Sequence, residues 1–157
     1  MDGTMKIELK RVTYNSRLSE ETAAFAADLW INGKKRGDVL NDGHGGPDRI
    51  HPYTLAQEIE AYAATLPKWK SPWGGPDLPH SADTVIGGIL SAFIYERDLK
   101  RAMKTKTLFV RDGVLYEVKK PGVPKGDVVV LNALPFDEAL KAYRKAIGDE
   151  PVLEVAS

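Results

Sequence analysis

Two dipeptides, Asn32-Gly33 and Asp112-Gly113, limit what this chain can fold into more than any other feature. Both central residues of a type I′ turn need positive φ, and Asn or Asp followed by Gly tolerates this best, so each dipeptide marks a two-residue hairpin. The flanking residues agree. Over residues 22–31, Phe25, Ala27, Leu29 and Ile31 fall on one face of a strand, and Ala24, Ala26, Asp28 and Trp30 on the other. Lys34–Leu40 is the returning strand. Thr107–Val110 and Val114–Val118 flank the second turn in the same way.

Upstream, Ile7 and Leu9 alternate with charged residues as a half-buried strand does. The phase shifts near Arg11, where Val12 and Tyr14 become the apolar positions, so a bulge or a strand end is expected there. Residues 15–21 read as a polar loop. Residues 41–51 (NDGHGGPDRIH) read as a glycine-rich loop. Thr54 then opens a helix, with Gln57 completing a capping box. Leu55, Ile59, Tyr62 and Leu66 form its apolar stripe, and Pro67 ends it. Residues 68–79 read as an ordered, proline-rich loop holding Trp69 and Trp73. Ser81 or Asp83 caps a second helix that runs to about Met103, with Ile86, Ile89, Leu90, Phe93, Ile94 and Leu99 facing inward. Gly87 and Gly88 weaken its first turns by about 1 kcal/mol each, which a close helix contact would justify. A strand over 127–131 follows, then a helix opened by Pro135 with Phe136, Leu140, Tyr143 and Ile147 as its stripe and Gly148 as its stop.

The order is β-β-β-α-α-β-β-β-α. Strands in runs mean α+β, with mainly antiparallel sheet and helices packed on one face. The expectation is a single domain over 1–148 and a loose tail over 149–157. At 157 residues, this much chain folds without a metal or disulfide. Cysteine is absent, which removes thiolate metal sites and cysteine nucleophiles. The 22 basic and 22 acidic residues cancel, which argues against a surface that traps nucleic acid or acidic membrane as a whole. The first ten residues do not read as a signal peptide and no apolar run approaches membrane length, so the cytoplasm is the expected location.

Several motifs together carry a resemblance. Ser19, Glu21, Thr22 and Phe25 come first, then Asn32-Gly33-Lys34, then Asn41-Asp42-Gly43 with Gly45-Gly46. Lys104–Phe109 (KTKTLF) and a proline-phenylalanine helix ending in Ile-Gly follow. Over most of its length, roughly Met5 to Gly148, the chain resembles a family of small proteins of bacteriophages, prophages and plasmids. It departs after Phe109: such proteins often continue with arginine and a short acidic glycine-rich turn, where this chain has Val110-Arg111-Asp112-Gly113. No activity is established for that family. The resemblance implies a context in which small proteins bind and inhibit host systems.

Three surfaces are candidates. In the first, glycine amides at Gly43, Gly45 and Gly46, with Asn41, Asp42, His44 and Arg49, would form a nest for a small anion or a nucleotide. A tight connection made by Asn41 and Asp42 side-chain turns is the competing reading. The second is the pair Trp69 and Trp73, as binding anchors or as lids on the core. The third is a basic stripe of Arg97, Lys100, Arg101 and Lys104 at helical spacing, against which stands simple dipole compensation at a helix end. His44, His51, Asp42 and Asp48 fit no metal-ligand spacing, and His80 with Asp83 has no evident nucleophile. No cofactor, metal or catalytic set is expected. The leading expectation is a phage or mobile-element protein that inhibits or modulates a host protein or complex, such as one of a defence system, by contact. A small anionic ligand in the glycine-rich loop is the alternative, with nucleic acid or metal-dependent chemistry below it.

Overall fold

A computed structural model describes residues 5–19, 22–68 and 74–147. The antiparallel α+β reading holds. The chain divides at Leu90/Ser91 into two compact units, each with its own sheet.

The first unit opens with β1 (Ile7–Asn15), β2 (Ala24–Ile31) and β3 (Lys34–Asp42). Lys10 pairs with Asp28 and Thr13 with Ala26, so Arg11 and Val12 together oppose Ala27 alone. Arg11 takes φ 53°, so the phase shift near it marks a bulge and not a strand end. On β2 the face of Phe25, Ala27, Leu29 and Ile31 is buried, while Ala26 is exposed and Asp28 and Trp30 are half-buried. Asn32 and Gly33 take φ 51° and 83°, and Ile31 pairs with Lys34, as a type I′ hairpin requires. Asn32 also accepts from the Lys6 N–H at 2.9 Å through its Oδ1, pinning the start of β1.

The glycine-rich segment contains more structure than expected. Its first two residues finish β3, and its last three form β4 (Arg49–His51), which completes a β1-β2-β3-β4 sheet. A three-residue strand carrying arginine and histidine shows no alternation to read. A Cβ at Gly37 would stand 1.9 Å from the His51 carbonyl oxygen and 2.9 Å from Leu55 Cδ2, so only glycine fits where β3 meets β4. His51 itself is exposed.

Helix α1 (Tyr53–Ala64) starts earlier than the Thr54 box implied. Pro52 is its N-cap, with no side-chain bond, and Thr54 lies inside the first turn. Leu55, Ile59 and Ala63 are buried. Helix α2 (Ala82–Thr105) has the reciprocal cap instead: Ser81 Oγ accepts from Thr84 N–H (3.3 Å) and Thr84 Oγ1 from Ser81 N–H (2.8 Å). Glu60 takes up another orphan donor, the Ala82 N–H, at 3.0 Å. No heavy atom lies within 4 Å of a Cβ placed on Gly87 or Gly88, so a close helix contact does not explain them. No described helix is long and apolar enough to cross a membrane.

The second unit holds β5 (Lys106–Arg111), β6 (Val114–Lys119), β7 (Val129–Val130) and α3 (Phe136–Ala146), with sheet order β6-β5-β7. Asp112 and Gly113 take φ 52° and 78°. Leu99, Leu108, Leu131 and Ala139 form the core, with Val110, Leu115, Phe136 and Leu140 packed around it. β7 is shorter than the strand expected over 127–131, because Leu131–Ala133 turns into a 3-10 helix. The Asn132 side chain continues the ladder there. Its Oδ1 accepts from Leu108 N–H (2.8 Å), and its Nδ2 donates to the Lys106 carbonyl (3.0 Å). In α3, Asp137 and Glu138 lie in the first turn and Arg144 and Lys145 in the last, matching the helix dipole. Ile147, expected in the apolar stripe, sits past the helix end and is exposed.

Candidate functional site

The glycine-rich turn between β3 and β4 is organised by Asn41, which is 7% exposed. Its Oδ1 accepts from the Thr22 hydroxyl (2.8 Å) and Gly43 N–H (2.9 Å). Its Nδ2 donates to the Gly46 carbonyl and to Asp48 Oδ1, both at 3.0 Å. Asp42 accepts from His44 N–H (3.2 Å) and holds Arg49 Nη2 at 3.1 Å. Gly45 N–H donates to Thr22 Oγ1 at 3.3 Å. The amides of Gly43, His44 and Gly45 therefore already point at oxygens of the protein. Gly43 has φ 86°, and a Cβ there would lie 2.1 Å from the Leu18 carbonyl. Two successive Asx turns, at Asn41 and Asp42, make the connection.

A carboxylate pair flanks the turn. Asp83, in the first turn of α2, accepts from the Asp48 N–H at 3.4 Å. Burial pushes the Asp48 carboxyl above its ordinary value, the Asn41 hydrogen bond pulls it back, and the Asp83 charge adds to the rise. The described residues contain no group of three or more acidic or histidine side chains able to hold a metal. His80 is buried beside this helix start, its Nδ1 3.1 Å from Thr84 Oγ1. On the outer face of the sheet, an open hollow of ≈ 330 Å³ is lined by Arg11, Asp28, Lys35 and Asp38 among others. Asp28 sits between Arg11 (3.9 Å) and Lys35 (3.5 Å), so its charge is answered within the sheet.

In the second unit the basic stripe is partly neutralised. Lys100 pairs with Glu96 at 2.8 Å and lies 5.2 Å from the Phe136 ring, and Arg97 holds Asp98 at 3.0 Å. Arg101 and Lys104 are exposed, with no ion pair among the described residues. Trp69 and Trp73 lie outside the described residues. Lys106 continues the stripe, as its spacing implies, but sequence reasoning missed two lysines that join its end, Lys119 and Lys120. Lys106 and Lys119 are cross-strand partners, and Lys120 N–H donates to the Thr105 carbonyl at 3.0 Å. Lys104, Lys106, Lys119 and Lys120 therefore converge where α2 ends and β6 leaves the sheet. Of these, Lys106 is paired, to Glu117 at 2.7 Å. Residues 91–151 hold twelve Lys and Arg against nine Asp and Glu; the remainder holds ten against thirteen. Their net charges are +3 and −3, an asymmetry that the zero total conceals.

The second sheet also presents an aromatic face. Phe109 and Tyr116 are cross-strand partners with rings stacked at 5.6 Å and 18°. The Arg111 guanidinium lies 5.5 Å and 5.8 Å from the two rings and donates to the Lys125 carbonyl. Val114, across from Arg111, is 51% exposed, and Tyr116 is 43% exposed. Strand alternation around the Asp-Gly turn was enough to place these residues on one face; their exposure depends on packing that the sequence does not display. No family model, curated protein or solved structure matches the chain.

Proposed function

We propose that this chain is a protein-binding module of a phage or mobile element, which modulates a host protein or complex by contact. The observation that supports this reading is the margin of the second sheet. Tyr116 and Val114 are exposed there beside Arg111, on one continuous face. Tyrosine and arginine are the side chains that most often anchor protein interfaces, because each offers a large rigid surface with a polar tip. The turn at Asn41 supports the same reading, since three of its amides, those of Gly43, His44 and Gly45, already donate to oxygens of the protein. The resemblance to phage, prophage and plasmid proteins supplies the partner class, a factor of the bacterial host.

The test is affinity capture from host lysate with the wild-type chain and with Tyr116→Asp, followed by mass spectrometry. The expected result is one stoichiometric host complex, lost with Tyr116→Asp and retained with Lys34→Glu on the hairpin of the first unit. Capture of nothing, or of the same proteins by all three chains, would defeat the reading.

A further inference from the structure

We infer that β6 takes up an extended segment of the partner as an added antiparallel strand, and that this segment is acidic toward its N-terminal end. The inference rests on the protein-contact reading above and gives that contact its chemistry.

The Asp112-Gly113 turn sets the phase of the ladder. A two-residue hairpin makes its flanking residues, Arg111 and Val114, a hydrogen-bonded pair. Antiparallel ladders alternate, so Phe109 with Tyr116 and Thr107 with Val118 are bonded pairs too. The bond from Lys120 N–H to the Thr105 carbonyl continues the same phase. Val114, Tyr116 and Val118 thus spend their main-chain groups on β5, while Leu115, Glu117 and Lys119 turn theirs away from the sheet. The Lys119 carbonyl accepts from Gly122 N–H at 2.8 Å. The N–H and C=O of Leu115 and Glu117, and the N–H of Lys119, have no partner among the described residues.

Such an edge is a template for another strand unless something blunts it. β1, the long edge of the first sheet, is blunted by the Arg11 bulge. β7, the other edge of the second sheet, is two residues long and is finished by the Asn132 side chain. β6 runs six residues with unbroken pairing and no proline. Val114 and Tyr116 are exposed toward its start, and Lys119 and Lys120 toward its end, beside Lys104. An incoming strand that pairs antiparallel, as every strand pair in this sheet does, lays its N-terminal end against those lysines and its C-terminal end beside Tyr116 and Val114. Charge complementarity then selects carboxylates at the N-terminal end and β-branched residues after them. A second copy of the chain fits less well. The only acidic residue of β6 is Glu117, and Lys106 already holds it.

The test uses the full chain and a fluorescein-labelled peptide, Asp-Glu-Asp-Val-Thr-Val-Thr-Val, read by anisotropy at low salt. The peptide with its acidic block moved to the C-terminal end, and one N-methylated at alternate residues, are the controls. Expected are binding about tenfold tighter for the first peptide than for the moved-block peptide, and loss of binding on N-methylation. Glu117→Pro removes an outward N–H without touching the β5 ladder, and should lose the peptide; Lys119→Glu with Lys120→Glu should lose it too. Equal binding of the two peptide orders, or indifference to N-methylation, would overturn the inference whether or not Glu117→Pro folds. A dimer in sedimentation that Glu117→Pro dissociates would also overturn it and assign the edge to a second copy. Host capture that survives Glu117→Pro would sink this inference alone, whereas capture of no host protein by the wild-type chain would sink the reading beneath it.

Discussion

The two sheets solve the same problem with different finish. In the first, the outer face is charge-balanced: Lys10 lies 3.9 Å over the Trp30 ring, and Asp28 sits between Arg11 and Lys35. Its long edge carries a bulge. In the second, the outer face carries a stacked aromatic pair under an arginine, and its long edge is regular. A sheet that only has to persist is expected to look like the first. A sheet that has to accept something keeps an edge and an apolar margin like the second.

Both sheets also depend on one asparagine each, Asn41 beside the first and Asn132 beside the second. The largest expected effect is at Gly37. A methyl group would collide with the His51 carbonyl, so Gly37→Ala should destabilise the first unit by about 4 kcal/mol in urea unfolding. An unchanged midpoint would mean that β4 and α1 are not held against β3 as described. Next come Asn41→Ala and Asn132→Ala. Asn41 satisfies four partners in a buried position and Asn132 two in a half-buried one. Costs of about 3 and 2 kcal/mol follow from leaving those groups unpaired. The reverse ranking would mean that the second ladder, not the turn, is the more dependent on its side chain.

A smaller effect of opposite sign is expected in α2. Gly88 meets nothing within 4 Å where a Cβ would stand, so Gly88→Ala should stabilise by about 1 kcal/mol. Destabilisation instead would reinstate a contact at that helix face. The smallest effect concerns pH. The folded state raises the Asp48 carboxyl, so it binds that proton more tightly than the unfolded chain does. This contribution to stability is greatest below the ordinary carboxylate range and is lost as pH rises through the raised value. Asp48→Asn keeps an acceptor for Asn41, and should raise the melting temperature at neutral pH by about 2 °C and flatten this part of the profile. A lower melting temperature at neutral pH would show that the charge is stabilised by something other than Asn41.

What the sequence displays is local. Both Gly turns, the phase shift at Arg11, the buried face of β2 and a cap at Ser81 or Asp83 are decided within a few residues and show in the pattern; the structure then selects the bulge over a strand end and Ser81 over Asp83. The features that escape it join distant positions. Thr22 reaches Asn41 across 19 residues, Asp48 reaches Asp83 across 35, and Asn132 replaces a strand rung 26 residues away at Lys106. Pro52 displaces the expected Thr54 cap because β4 delivers the chain to α1 two residues early, and β4 itself is too short to show a period. The candidate site divides in the same way. The helical basic stripe is visible from spacing, but its meeting with Lys119 and Lys120 depends on the register of β5 against β6. The glycine-rich segment is conspicuous in composition, yet its Gly45 amide is taken by the Thr22 hydroxyl, twenty-three positions upstream.

That last arrangement has a kinetic side. A segment with three glycines in four positions would ordinarily exchange its amide hydrogens with solvent as fast as a free peptide. Here the Gly43 N–H is buried and bonded to Asn41, whose own amide is tied back to Gly46 and Asp48. Deuterium can enter at Gly43 only when Asn41 lets go, and Asn41 is the last pairing of β3 with β2 but one. The most glycine-rich stretch of the chain thus keeps time with the opening of its sheet.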